Sequence, residues 1–217
     1  MEFNLDKCEA LTIPANPSPI LHKYQLHSST LARPPVGYVK YLGVTIQADL
    51  KWDHHIQKIT SKASRTLGML RRNIRVREQA PRELAYKALV RPQVEYASSV
   101  WDPPKSANTH QERQSGLSSK IEKVQRRGAR FVCRQYRYTS NVDTMLEDLK
   151  WTPLEHRRRS DRLCFMYKVQ NALVSIPHHH LPPPTTTRTR GHGQRLRTYR
   201  SRLNCHKFSF FPLTVPK

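Results

Sequence analysis

The sequence predicts a mainly α-helical protein, with a small antiparallel β meander before the helices and a basic, mostly disordered tail after them. Three observations support this fold class. Residues 1–51 contain short, partly alternating segments separated by prolines, and residues 52–174 repeat apolar residues at three- and four-residue spacing. Residues 175–217 lack that periodicity and hold no acidic side chain. The boundaries 1–51, 52–174 and 175–217 therefore define three predicted domains.

Three segments of the first domain are predicted to form strands. CEALTI, ILHKYQLH and YVKYLGVTI are short, and the turn-forming stretches ANPSP and ARPPVG separate them. This order is typical of an antiparallel meander. Gly43 lies inside the last predicted strand, where a residue without a side chain lets another backbone approach closely.

The first predicted helix covers residues 52–72. One face collects its apolar residues, Trp52, Ile56, Ile59, Ala63, Leu67 and Leu70. The cations Lys58, Lys62, Arg65 and Arg72 lie off that face. A second helix begins near Arg82, carries Leu84, Ala88 and Leu89, and is kinked or divided by Pro92.

The stretch SSKIEKVQRRGARFV predicts a third helix with two distinct stripes. The apolar stripe consists of Ile121, Val124, Gly128 and Phe131. The cationic stripe consists of Lys120, Lys123, Arg127, Arg130 and Arg134. The spacing predicts that the first stripe is buried against other helices and that the second is exposed.

Capping signals predict two further helices. Ser140 begins a short helix, with Asp143 placed to complete a weak capping box. Thr152 suits the N-cap of the last helix, since Pro153 fits the first helical position and Glu155 can bond back to the cap. This helix is predicted to run to about residue 174 and to bury Leu163, Met166, Tyr167 and Leu173.

The charge of the chain indicates a polyanionic partner. Lysine and arginine number 38 against 16 acidic residues, which gives a formal net charge of +22 and a pI of about 10.4. A single cationic helix face is ordinarily only a solvated surface. Here the stripe coincides with a second basic helix, the run Arg157, Arg158 and Arg159, and an acid-free tail, and this combination favours nucleic-acid binding.

Other partners and compartments are less compatible with the sequence. No stretch approaches the roughly 20 apolar residues of a membrane span, and MEFNLDKCEALTIP lacks the basic and apolar parts of a signal peptide. We therefore expect no membrane partner and an intracellular protein, cytoplasmic or nuclear.

The sequence shows no complete catalytic or metal site. Adjacent histidines cannot easily face one ion, so the triplet at 178–180 is interpreted as a solvated loop rather than a zinc site. There is no paired-aspartate motif for magnesium and no phosphate-binding glycine loop of the G-x-x-x-x-G-K type. We expect the isolated chain to be no enzyme and to carry no cofactor.

Several segments in order closely resemble the reverse transcriptase of LINE-type (non-LTR) retrotransposons. They include FNLDKC, YLGVTI, LGMLRRN, AYKALVRPQVEYASSVWDP, IEKVQRRGARFV and YTSNVDTMLEDLKWTPLEHRRR. The resemblance implies that this chain corresponds to the part of that enzyme which follows the catalytic palm motif. The magnesium-binding aspartates of the family lie in segments not found here, so the resemblance implies a non-catalytic fragment of an RNA-directed DNA polymerase. Magnesium would be needed only by the intact polymerase.

The resemblance also implies roles for particular residues. Lys7 would be an auxiliary group near the incoming nucleotide, and Tyr41, Leu42 and Gly43 would form a primer-grip-like hairpin. The helices would form a thumb that follows the template and primer by sequence-independent phosphate contacts. The expected contact residues are Lys58, Lys62, Arg65, Arg72, Lys120, Lys123, Arg127, Arg130, Arg134, Arg157 and Arg158.

Three features depart from the family pattern. Gly128 stands where alanine is more frequent, and mid-helix glycine costs about 1 kcal/mol relative to alanine. The stretch SANTHQERQSGLSS is several residues longer than expected. The chain also stops before the usual Trp-Asn continuation, which leads us to expect a remnant or a truncated gene product.

Three alternatives to nucleic-acid binding by the isolated chain stay open at this level. The chain could join an upstream palm fragment in trans and contribute to polymerase activity. It could be an inert remnant that does not fold. It could also be a basic adaptor that binds another protein.

Overall fold

The computed structural model describes residues 4, 7–14, 22–26, 29–34, 37–103, 116–137, 139–177, 181, 196, 202, 204–207 and 209–215. These residues are mainly helical, with two small antiparallel hairpins before the helices, which confirms the predicted fold class. The chain divides into two compact units, residues 1–58 and residues 59–217. The histidine triplet at 178–180, most of the longer stretch at 106–119 and most of the basic tail lie outside the described residues.

The strands of the first unit form two separate hairpins. Strands β1 (Gln25–Leu26) and β2 (Ser29–Thr30) pair with each other, as do β3 (Tyr38–Tyr41) and β4 (Val44–Gln47). In the predicted first strand, only an isolated parallel bridge joins Glu9 to Ala32. The antiparallel strands thus form two separate two-stranded sheets, since β2 and β3 do not pair.

A two-residue turn joins β3 to β4. Leu42 and Gly43 both have positive φ angles, 45° and 87°, and paired left-handed residues are typical of the tight turns that match the twist of a hairpin. The prediction of a single strand through Gly43 is wrong. The glycine is suited to this position because the turn requires its backbone conformation.

Helix α1 (Asp53–Asn73) follows the predicted apolar periodicity. Ile56, Ala63, Leu67 and Leu70 are buried, while Trp52 and Ile59 are half-buried. At its start, His55 is buried, and its Nδ1 accepts a hydrogen bond of 3.2 Å from the backbone N–H of Thr45 in β4. This bond ties the hairpin to the first turn of the helix.

The second predicted helix is divided into α2 (Gln79–Leu89), α3 (Arg91–Glu95) and α4 (Ser98–Trp101). Pro92 lies in the first turn of α3, so the predicted break is confirmed. The apolar residues of this segment, Leu84, Ala88 and Leu89, are exposed. The buried residues Arg82 and Tyr86, with Val90 after the helix, attach α2 to the bundle instead.

Helix α5 (Leu117–Cys133) buries the predicted apolar stripe, Ile121, Val124, Gly128 and Phe131. Gly128 lies against the ring of Tyr86, which stacks on Trp151 with ring centroids 4.5 Å apart. A Cβ added at Gly128 would lie 2.8 Å from Cδ2 of that ring. The glycine therefore permits α2 and α5 to approach closely.

Helices α6 (Val142–Asp148) and α7 (Leu154–Gln170) begin with caps that differ from the predicted ones. Asn141, not Ser140, caps α6 by accepting from the N–H of Asp143. Glu122 of α5 accepts hydrogen bonds from the N–H groups of Leu154 and Glu155, at 3.2 and 2.9 Å, so the predicted capping box at Thr152 is wrong. A side chain distant in sequence satisfies the first amides of α7.

Helix α7 ends at Gln170, before the predicted residue 174. Met166 is buried as predicted, but Leu163, Tyr167 and Leu173 are exposed. In the region predicted as tail, α8 (Asn204–Lys207) and α9 (Phe210–Thr214) follow. Phe210 packs edge-on against Phe165 of α7, with ring centroids 5.2 Å apart, so this segment contacts the last long helix.

A buried ionic cluster holds α7 to the residue that follows α4. Arg158 is 0% exposed, and its Nε donates to Oδ1 of Asp102 at 2.7 Å. Arg162 pairs with the other oxygen of the same carboxylate, and Nη2 of Arg158 also donates to Oγ of Ser118 at 3.2 Å. Burial lowers the pKa of both guanidinium groups below its ordinary value.

Candidate nucleic-acid interface

A groove of about 280 Å³ lies between α1 and α5. We call it the basic groove. Its lining residues are Ser64, Leu67, Gly68, Arg71, Arg127, Arg130, Phe131 and Tyr136. Three of these eight residues are arginines and none is acidic. The groove therefore combines positive walls with an apolar floor formed by the buried residues Leu67 and Phe131.

Arg71 and Tyr136 form one side of the basic groove. The guanidinium carbon of Arg71 lies 4.1 Å from the centroid of the Tyr136 ring, within the range of a cation–π interaction. Both side chains are exposed. This contact places a cation and an aromatic face next to each other, and sugar–phosphate backbones and unstacked bases bind to such pairs.

Arg127 and Arg130 of α5 form the opposite side. Arg127 is exposed, and its Nη1 reaches Oγ of Ser64 at 3.5 Å across the groove. Arg130 is half-buried and donates to the backbone carbonyls of Arg137 and Ser140 at 3.0 and 3.4 Å. Arg130 therefore also holds the loop after α5, whereas Arg127 has mainly solvent around it.

The cationic stripe of α5 continues beyond the groove. Lys120, Lys123, Arg127 and Arg134 are all exposed, and within the described part of the chain none of them has an acidic side chain at ion-pair distance. Arg134 is the C-cap of α5, in a left-handed conformation with φ 55°. The predicted exposed stripe is thus present, with Arg130 as its half-buried member.

The four cations predicted on α1 do not line the basic groove. Lys58, Lys62, Arg65 and Arg72 are exposed as predicted, but their three-, four- and seven-residue steps place them on one outward face. The groove is lined by Ser64, Leu67, Gly68 and Arg71, on another side of the helix. The structure therefore separates this set from the arginines of α5.

Two arginines predicted to contact nucleic acid are paired with acids. Arg158 belongs to the buried Asp102 cluster, so the prediction that it contacts a ligand at the surface is wrong. Arg157 pairs through Nε and Nη2 with the Glu95 carboxylate, the second bond at 3.2 Å, and this partner raises the pKa of Arg157. Arg126, which precedes Arg127 in α5, likewise pairs with Asp143.

The primer-grip-like residues lie at the tip of the second hairpin. Tyr41 and Leu42 are 64% and 74% exposed, and Gly43 completes the turn. Lys7 is exposed as well. These residues belong to the first unit, and the basic groove belongs to the second.

Sequence reasoning did not identify Ser64, Gly68, Arg71 or Tyr136, of which Arg71 and Tyr136 bring charge and an aromatic ring to the groove. Arg71 has a signal, because it lies four residues after Leu67 and so borders the buried face of α1. Tyr136 follows the end of α5 in an irregular segment, where no periodic pattern exists.

Among the described residues, no three or more His, Cys, Asp or Glu side chains come together in a way that could hold a metal ion. No described helix is both long enough and apolar enough to cross a bilayer. Comparison of the chain with protein-family models, with curated proteins and with solved structures gives no match.

Proposed function

We propose that the chain is a fragment of a LINE-type reverse transcriptase that binds nucleic acid through the basic groove and the exposed stripe of α5. The order of its parts supports this proposal, since a hairpin carrying YLG precedes the helices, as the resemblance implies. By itself the fragment would perform no polymerisation. Its partner would be RNA, an RNA–DNA hybrid or a single strand.

The observation that carries the proposal is the contrast between two groups of arginines. Arg126, Arg157 and Arg158 each pair with a carboxylate. Arg71 and Arg127 lie in a groove whose described lining includes no acid. Unneutralised cations on a strongly basic chain repel each other, and a phosphate backbone relieves that repulsion.

The chemistry of the groove favours binding without base preference. Guanidinium groups form bidentate hydrogen bonds with phosphate oxygens. The exposed Tyr136 ring can stack on a base of any identity, because every base has a π face. We therefore expect affinity to depend on backbone charge more than on sequence.

Salt titration of binding tests the proposal. We expect the affinity of the chain for a labelled RNA–DNA hybrid, measured by fluorescence anisotropy, to fall steeply with salt, because each neutralised phosphate adds roughly 0.7–0.9 to the logarithmic slope. The double variant Arg71→Gln/Arg127→Gln should lower that slope by about 1.5. All sequences should weaken about equally.

A variant of equal charge change provides the control. Arg159 and Lys168 are exposed cations of α7 outside the groove, so Arg159→Gln/Lys168→Gln should leave the slope nearly unchanged. A flat titration of the unmodified chain, or equal losses in the two variants, would contradict the proposal. Binding to a protein partner that survives nuclease treatment would instead favour the adaptor alternative.

A further inference from the structure

A second cavity lies on the other side of α5. It has a volume of about 80 Å³ and is lined by residues of α2, α3, α5, α7 and the segment before α7. We call it the Tyr86 cavity. Gln125 of α5 lines it, whereas Arg127, two residues later, lines the basic groove, and residues so spaced face different sides of a helix. The cavity is therefore separate from the interface proposed above.

The walls of the Tyr86 cavity carry positive charge. Lys87, Arg91, Lys150 and Arg157 line it, and no acidic residue does. Two carboxylates outside the lining pair with three of these cations. Glu95 pairs with both Arg91 and Arg157, and Glu83 pairs with Lys87 at 2.5 Å. These pairs hold three of the four cations in place and leave positive charge over.

Three buried polar atoms of the lining residues have no hydrogen-bond partner in the described part of the chain. They are the hydroxyl of Tyr86, Oε1 of Gln125 and Nε of Arg91, the last of which lies 3.7 Å from the Glu95 carboxylate. Tyr86 and Gln125 are only 1% and 3% exposed. Nε2 of Gln125 donates to the carbonyl of Thr152 at 2.9 Å, which fixes the orientation of the amide. Oε1 therefore requires a donor, because a carbonyl oxygen can only accept.

The Tyr86 hydroxyl can act as a donor. Burial raises the pKa of Tyr86 above its ordinary value, so the hydroxyl keeps its proton at neutral pH. Stacking on Trp151 holds the ring in place. A matching ligand must be negative, accept hydrogen bonds on some oxygens and donate one from another.

We propose that the Tyr86 cavity binds the hydrogen phosphate ion. Its P–O⁻ oxygens accept from the Tyr86 hydroxyl and from the cations, and its P–OH donates to Oε1 of Gln125. Sulfate has no such donor at neutral pH. A phosphodiester, as in a nucleic-acid backbone, has none either.

Calorimetric titration of the full chain tests this site with defined probes at one ionic strength. We expect inorganic phosphate to bind. Sulfate and dimethyl phosphate should bind at least about tenfold more weakly, the size of effect expected for a lost hydrogen bond to a charged group. Sulfate or the diester binding as tightly as phosphate would overturn the proposal.

The variant Tyr86→Phe removes only the hydroxyl. It should bind phosphate at least about tenfold more weakly while unfolding at the same temperature as the parent chain or above it. If that variant does not fold, Lys150→Gln at the exposed edge of the cavity should still weaken phosphate binding several-fold. Unchanged phosphate affinity in the folded Tyr86→Phe chain, or in Lys150→Gln, would overturn the site.

The groove variant Arg71→Gln/Arg127→Gln separates this inference from the proposed function. It should bind phosphate as the parent chain does, even though its affinity for nucleic acid falls. Equal loss of phosphate binding in the groove variant and in Tyr86→Phe would show that phosphate binds by general charge attraction, which would overturn the site.

Discussion

At the scale of single residues, arginine has opposite roles in different parts of this chain. Arg82 and Arg158 are buried. Arg82 donates to the carbonyl of Phe131 at 2.7 Å, and Arg158 donates to Asp102. Arg71 and Arg127, by contrast, lie exposed in the basic groove. An arginine's role here depends on whether the fold brings a carboxylate or carbonyl to it.

The Asp102 cluster predicts a large effect of one substitution. Asp102→Asn removes the negative charge between two buried guanidinium groups, and breaking a buried pair in this way typically costs about 3–5 kcal/mol. We expect a loss of this size in the free energy of unfolding, measured by urea denaturation. Asp143→Asn breaks the exposed pair with Arg126 and should cost less than about 1 kcal/mol. Equal effects would contradict this account of the cluster.

His55 predicts a dependence of stability on pH. Burial, with the nearby charge of Lys58, lowers the pKa of His55 from 6.5 to about 4. Protonation also abolishes the acceptor that Nδ1 offers to Thr45. The pKa of His55 is lower in the folded chain than in the unfolded chain. The stability that neutral His55 contributes is therefore complete above about pH 6.5 and is lost as the pH falls towards 4.

Unfolding measured across this range checks the prediction. Between pH 7 and pH 4 the parent chain should lose about 2–3 kcal/mol more than His55→Gln, whose side chain does not titrate. Parallel pH profiles for the two chains would show that His55 is not the titrating group.

At the scale of elements, the helix faces of α1 and α5 could be predicted because their apolar residues recur at helical spacing. The faces of α2 and α7 could not. In α2 the buried positions are taken by Arg82 and Tyr86. In α7, Arg158 and Arg162 are buried beside the apolar Leu154, Met166 and Val169. Polar residues become core residues only through partners distant in sequence, so periodicity does not reveal them.

The two mid-helix glycines should respond to alanine in opposite directions. Gly128→Ala gains about 1 kcal/mol of helix propensity, but its Cβ would overlap the Tyr86 ring, and overpacking typically costs about 1–3 kcal/mol. Gly68 has only Arg72 Nη1 nearby, at 3.8 Å. We therefore expect Gly128→Ala to destabilise the chain and Gly68→Ala to stabilise it by about 1 kcal/mol, measured by thermal unfolding. Stabilisation by both would contradict the close packing of α2 on α5.

At the scale of the whole molecule, net charge favours a polyanionic partner but does not specify a binding site. The excess of +22 identifies no single surface, because every cation contributes to it equally. The structure distinguishes the cations by their neighbours. Those of the α5 stripe were predicted from spacing, whereas Arg71 joins them only because α1 packs beside α5.

The cap that Glu122 provides has a consequence for the dynamics of the bundle. The first amides of α7 bond to a carboxylate carried by α5, so the start of α7 cannot unwind without breaking a contact to a different helix. Exchange of the Leu154 and Glu155 amide hydrogens with solvent should therefore be governed by the opening of both helices together. Fraying, which is usual at a helix end, is here coupled to the stability of the bundle interior.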